Sequence, residues 1–263
     1  MPLSYIPTSG TALIIAHPGH EIRVYGWLEL ASPFVFILTD GSGHSGKSRL
    51  DSTTKILNKV GAKQGSIYGR FSDSQIYAAI LNQDFDLFIG LTEELVDTLS
   101  KIEAKIVVGD AVEGYNPVHD ICRLMINAAV EVLLQRGYKI DNFDFLLNRK
   151  PDDFPGSFSQ QMIRLQLNDE AMARKLLAAQ AYDEIVNEVN SAIQTFGLEA
   201  FQIECLRPMD IRGKDDCQTQ ETPFYEQCGE KKVASGLYQQ VLRYREHVYP
   251  LAEALWTHIK KLS

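Results

Sequence analysis

Hydrophobic positions in the first 150 residues fall into two kinds of run that take turns along the chain. Short apolar blocks at Ala12–Ala16, Phe34–Thr39, Leu87–Gly90, Lys105–Gly109 and Phe143–Leu147 predict buried strands. Between them, apolar residues recur at helical spacing over Glu21–Leu30, Arg49–Val60, Ser74–Asn82, Glu93–Ile102 and Pro117–Arg136. That alternation predicts βαβ units around a largely parallel sheet. Right-handed crossovers then bring every strand's carboxyl end to one edge, where open α/β sheets bind ligands. Past Asn148-Arg149-Lys150-Pro151-Asp152-Asp153 the pattern changes to long helical stretches, Met172–Ile193 and Lys231–Lys261, with polar Cys205–Pro223 between them read as a loop. Residues 1–150 therefore read as an α/β core and residues 151–263 as a helical extension packing on it.

The polar residues that follow the strands change this picture from a scaffold to a site. Ala16-His17-Pro18-Gly19-His20-Glu21 follows the first strand, Asp40-Gly41-Ser42-Gly43-His44 the second, and Gly109-Asp110 with Glu113 to Asp120 the run Ile106-Val107-Val108. Three stretches distant in sequence should meet in one crevice. His17, His20 and His119 together make a three-nitrogen ligand set of the kind zinc takes, leaving a fourth position open for catalysis. Such an ion polarises a carbonyl and lowers the pKa of water, and three neutral ligands leave it its full charge. Imidazoles also suit iron and other divalent transition metals. His247 and His258, on the C-terminal helical stretch, are surface or packing residues.

A competing motif lies in the second cluster. Gly41-Ser42-Gly43-His44-Ser45-Gly46-Lys47-Ser48 fits the phosphate-loop pattern, and it sits between a strand and a helix as that pattern demands. It predicts nucleotide binding through Lys47. A glycine loop rimming the crevice is the simpler reading of so short a match.

Composition narrows the partners. The 263 residues are 45% hydrophobic and 23% charged with a net charge of −8, a soluble globular profile that does not favour nucleic acid or an anionic membrane surface. No apolar run reaches the roughly 18 residues of a membrane span. Met1-Pro2-Leu3-Ser4-Tyr5 lacks the basic and apolar regions of a secretory signal. Cys122, Cys205, Cys217 and Cys228 show no CxxC spacing and read as reduced thiols of a cytoplasmic protein.

In their order these motifs resemble the PIG-L/LmbE family of metal-dependent sugar de-N-acetylases. Ala16-His17-Pro18-Gly19-His20-Glu21 stands where that family has A-H-P-D-D-E, Thr39-Asp40-Gly41 matches its T-D-G, and Arg49-Leu50-Asp51 with Leu57 to Gly61 is similar to the helix that follows. Tyr115-Asn116-Pro117-Val118-His119 resembles its H-P-D-H. The likeness covers roughly residues 11–135 and continues weakly into Asp169 to Tyr182. It implies a Rossmann-like three-layer α/β/α sandwich and a zinc-dependent hydrolase that removes an acyl group from an amino sugar or related amide, a small-molecule or glycan substrate. It places the metal ligands on His17, His20 and His119, with histidine replacing an aspartate at position 20. It puts the oxyanion-stabilising group on Asn116 and a sugar contact on Arg49, beside Asp40 and His44 of the neighbouring loop. The family's general base falls on Gly19, which cannot serve. Asp110, Glu21, Asp40 and Asp120 are the carboxylates within reach of that role, Asp110 first among them. The missing base also leaves open a relative that binds a glycan or other ligand without hydrolysing it.

Overall fold

The computed structural model describes residues 9–154, 162–209 and 222–262. Seven strands, β1 (Thr11–Ile15), β2 (Phe34–Thr39), β3 (Lys63–Phe71), β4 (Ile106–Asp110), β5 (Asp141–Phe145), β6 (Ile163–Gln166) and β7 (Ile203–Pro208), form one sheet in the order β3-β2-β1-β4-β5-β7-β6. The five strands β1 to β5 pair in parallel, and β7 runs antiparallel to both β5 and β6. Strand order reverses between β1 and β4, so the carboxyl ends of those two neighbours flank the crevice of the sheet.

Both faces of the sheet are covered, which is why its central strands read as unbroken apolar runs. Ala12, Ile14 and Ala16 point with Phe36, Leu38 and Val107 into one core. Helices α3 (Asp73–Leu81), α4 (Phe85–Lys101), α5 (Pro117–Gln135) and α10 (Tyr249–Leu262) close that side through residues such as Ile76, Phe88, Leu95, Ile121 and Leu255. Leu13, Ile15, Val35, Ile37 and Val108 point the other way, onto α1 (Tyr25–Ala31), α2 (Leu50–Val60) and α6 (Asp169–Gln180). The result is the expected three-layer α/β/α sandwich. Among the described residues no helix is long and apolar enough to cross a membrane.

Several elements differ from the sequence expectation, each for a local reason. Leu87–Gly90 is helical, not a strand, because it is the first turn of α4, opened by Asp84 accepting from the Leu87 N–H and continued by Leu91, Leu95 and Leu99 at helical spacing. β3 escaped notice because it is a largely polar edge strand. Its Gly65 and Gly69 are required by close approach, since a Cβ there would stand 2.5 Å from the Phe36 ring and 2.4 Å from Leu50 respectively. The stretch Met172–Ile193 is two helices, α6 and α7 (Val186–Phe196), with Tyr182 and Ile185 buried at the break. The stretch Lys231–Lys261 is likewise divided: α9 (Phe224–Ala234) ends at Ser235-Gly236, and helix resumes as a π turn over Tyr244–Val248 leading into α10. The beginning of Cys205–Pro223 is strand β7, and α8 (Leu198–Phe201) precedes it. Cys217 lies outside the described residues, and Cys122, Cys205 and Cys228 are free thiols.

The C-terminal residues are thus mainly helical but also extend the sheet, and one buried ion pair fastens them. Glu204 of β7 accepts the Gly26 and Trp27 N–H groups at 2.8 Å each, capping the start of α1. Lys175 of α6 reaches it at 2.9 Å and the Arg23 carbonyl at 3.1 Å, with Phe201 beneath its ammonium. Both side chains are sealed from solvent. Removing the cation alone leaves a buried charge short of a partner, so Lys175→Met should cost about 3–5 kcal/mol. Chemical denaturation measures this, and Glu204→Gln combined with Lys175→Met should cost clearly less than the two losses added.

Candidate functional site

The first motif is built by the end of β1 and a tight turn. Gly19 has φ 108°, a conformation that side-chain-bearing residues rarely adopt, and it starts a 3-10 turn over His20–Val24 that leads into α1. Glu21 holds this turn from inside. Its buried carboxylate accepts the Gly19 N–H at 2.7 Å and the Thr53 hydroxyl at 2.7 Å, and burial raises its pKa. Thr53 in turn meets the Tyr182 hydroxyl at 2.8 Å. Both Glu21 oxygens therefore serve to hold the loop.

The turn sends two imidazoles toward the end of β4 and the start of α5. Ring centres lie 5.3 Å apart for His17 and His20, 5.0 Å for His17 and His119, and 4.6 Å for His20 and His119. Imidazoles sharing one tetrahedral ion, with nitrogens at about 2.0–2.1 Å from it, have centres roughly 5 Å apart. Each ring is oriented differently. His17 Nδ1 lies 2.7 Å from Thr39 Oγ1 and 2.9 Å from Asp73 Oδ1. The hydroxyl is the hydrogen-bond partner, and the Asp73 oxygen is a close electrostatic neighbour of the ring. His20 Nδ1 lies 3.0 and 2.9 Å from the two oxygens of Asp110. His119 is buried on the first turn of α5 and its Nδ1 has no hydrogen-bond partner.

Electrostatics follow from this packing. Burial pushes the His17 pKa down and drives that of His119 well below its ordinary value, and the neighbouring imidazoles add to both effects. Burial also opposes protonation of His20, but the Asp110 carboxylate outweighs it and raises the pKa. For Asp73, burial works upward and the facing His17 prevails, holding the carboxyl well below the usual range.

Among the described residues no three histidine, cysteine or carboxylate groups are already gathered into a metal cage; it is the rings that are in place. Three neutral nitrogen donors fit a divalent transition ion. Carboxylate partners on Nδ1 of two of the rings, and a bare buried Nδ1 on the third, fit it as well.

Asn116 joins the cluster from the N-cap of α5. Its side-chain oxygen accepts the Val118 N–H at 2.9 Å, which turns its NH2 group toward His17 Nε2 at 3.4 Å. Asp110 ends β4, fully buried, and its Oδ2 also accepts the Ala16 N–H at 2.8 Å. Asp120 is committed to the loop before α5, accepting from Glu113 and Gly114, and burial pushes its pKa up to about 7. Sequence reasoning missed Asp73, which opens α3 just past β3, faces His17 and also accepts the Gly43 N–H at 2.6 Å. The available signal was Ser72-Asp73-Ser74-Gln75, a capping box that opens α3.

The glycine loop stands at one side of this cluster and is closed on itself. Asp40 Oδ1 accepts the Ser42 N–H, the Asp40 carbonyl accepts the Arg49 N–H, and Asp73 takes Gly43. The amides of Gly46, Lys47 and Leu50 bond to Ser42, Ser45 and Ser48. Five of the eight amides of the match, those of Gly41, Ser42, Gly43, Gly46 and Lys47, are thus bonded within the protein, two of them to carboxylates, which favours the glycine-rim reading of the loop over the nucleotide one. The Arg49 guanidinium pairs with Glu188 at 3.5 Å and Lys47 with Glu184 at 3.4 Å. The side chain of His44 lies outside what is described.

No family model and no curated protein matches the chain in sequence. Solved structures do. The A40926 pseudoaglycone deacetylase is 19% identical with a TM-score of 0.55, over 77% of this chain and 97% of its own. A deacetylase of the teicoplanin biosynthesis pathway is 14% identical with a TM-score of 0.53, over 76% and 99%. The zinc-inhibited form of a teicoplanin deacetylase is 13% identical with a TM-score of 0.51, over 76% and 99%. The chain shares their fold. Because most of the glycine loop's amides are bonded within the protein, equilibrium dialysis with ATP should detect no binding to the wild type. Lys47→Ala, at a side chain 72% exposed, should change stability by less than about 0.5 kcal/mol.

Proposed function

We propose that this chain is a metal-dependent amide hydrolase of the deacetylase kind, acting on an N-acylated amino sugar or a related small amide. The observation that carries this reading is the convergence of His17, His20 and His119 where strand order reverses between β1 and β4. The fold shared with three deacetylases, one of them named as a zinc-inhibited form, supports it. Zinc, or iron or another divalent ion, would be held by the three imidazoles and would supply Lewis acidity toward an amide carbonyl and toward water.

The chain's own groups divide the remaining work. Asn116, its oxygen tied to the Val118 N–H, presents NH2 donors to a developing oxyanion beside His17. Arg49, with Asp40 and His44 in the adjoining loop, is the proposed substrate contact. Glu21 and Asp110 are engaged by the loop and by His20, so the reaction carries no carboxylate base at position 19 or among these two. General base catalysis contributes about 10²- to 10⁴-fold, so turnover without one is slow.

A second reading, binding without hydrolysis, draws on what covers Gly19. A Cβ at that position would meet Ile185 Cδ1 at 3.1 Å and the Tyr182 hydroxyl at 3.8 Å, so an apolar side chain roofs the place where the base would stand. One experiment separates the two. Elemental analysis of untagged protein should give about one zinc or iron per chain, lost in a His17→Ala, His20→Ala double variant. The same protein is then assayed for acetate release from N-acetyl amino sugars. Metal with slow release supports the hydrolase, metal with saturable sugar binding and no release supports the binder, and wild-type protein that refuses added zinc would falsify the site itself.

A further inference from the structure

Asp110 is a fully buried carboxylate whose neighbours are few and specific. One oxygen accepts the Ala16 N–H at 2.8 Å, and both lie within 3.0 Å of His20 Nδ1. The nearby Arg123 spends its hydrogen bonds elsewhere: its Nε donates to the Asp110 backbone carbonyl at 2.6 Å, and its NH1 and NH2 go to Asn142 and to the Phe143 carbonyl. The side-chain partner of the carboxylate is His20.

We infer that Asp110 is a positioning residue that fixes the tautomer of His20 for metal binding. The inference rests on the metal-site reading above. An ionised carboxylate only accepts hydrogen bonds, so the nitrogen facing it must carry the proton. In a neutral imidazole the other nitrogen, Nε2, is then a bare lone pair, and the partner of one ring nitrogen decides what the other can do. Asp110 also sets a negative charge one residue behind a ligand set that has none of its own. The Thr39 hydroxyl, whose own proton goes to the Ala16 carbonyl, accepts from His17 Nδ1 in the same way, whereas His119 Nδ1 has no hydrogen-bond partner. This division gives Asp110 a role in orienting a ligand and removes it from the choice of proton acceptor in hydrolysis.

The test is zinc binding, with no catalysis required. Asp110→Asn has the shape of the carboxylate and keeps an oxygen for the Ala16 N–H, but it removes the charge and sets an N–H donor beside His20. Its apparent zinc dissociation constant, measured by competition with a chromophoric chelator, should rise about 10- to 100-fold. The melting temperature of the metal-free protein should stay close to wild type. A variant that folds and binds zinc as tightly as wild type overturns the inference. Long-range nitrogen–proton spectra of the zinc-loaded wild type test it without any variant: the His20 proton should sit on Nδ1 and the metal on Nε2, and the reverse assignment overturns it. Wild-type protein that takes up no zinc overturns the metal site and this inference together, whereas a wild type that binds with an indifferent Asp110→Asn overturns the inference alone.

Discussion

A carboxylate with no access to water must find its hydrogen-bond donors within the protein, and Asp110 finds them at the reversal of strand order. Its acceptance of the Ala16 N–H joins the end of β4 to the end of β1 beyond their last ladder bonds. Its contact with His20 then brings the turn after β1 across the mouth of the sheet. The two ends are locked at one spacing, and the three rings converge because of it. A buried charge of this kind is a poor source of stability and a good source of uniqueness, since few arrangements of the same chain would satisfy it.

The same logic recurs at the far side of the sheet. Glu204 on β7 sits under the N-terminus of α1, where two backbone amides and Lys175 meet it. The helix that leaves the first motif is therefore held by a strand from the last third of the sequence. The direction of α1 fixes where the 3-10 turn over His20–Val24 can lie, so the C-terminal residues act on the cluster without touching it. Arg207 on the same strand pairs with Asp144 of β5 and strengthens the attachment.

What could be read from sequence follows from how local each signal is. β1, β2 and β4 are central and buried on both faces, so their apolar runs stand out, whereas β5, Asp141-Asn142-Phe143-Asp144-Phe145, begins two polar residues before the apolar stretch that marks it. β3 and β6 lie at the two edges, where half the side chains meet water, and neither has a run to notice. The Leu87–Gly90 error has the opposite cause: four residues cannot distinguish a strand from one turn of a buried helix, and only Leu91, Leu95 and Leu99 decide it. His17, His20 and His119 were legible because they follow strands or open a helix on the ligand-binding edge. Asp73 was not, because the strand that leads up to it was missed and its meeting with His17 is a contact between distant residues. The phosphate-loop match shows the same limit in reverse. Its spacing is correct, but Asp40 and Asp73 take the Ser42 and Gly43 amides, and nothing within the eight residues records that.

Gly19 and Ile185 together make position 19 hard to change. The left-handed turn at position 19 disfavours any side chain, and the break between α6 and α7 has settled its apolar residue into the space that glycine leaves. An aspartate introduced there would meet backbone strain first and the isoleucine next. Placing a carboxylate there would thus require coordinated change in two segments far apart in the chain, with the single changes worse than either end. The pair is self-maintaining: with Ile185 in the gap, packing alone keeps position 19 a glycine.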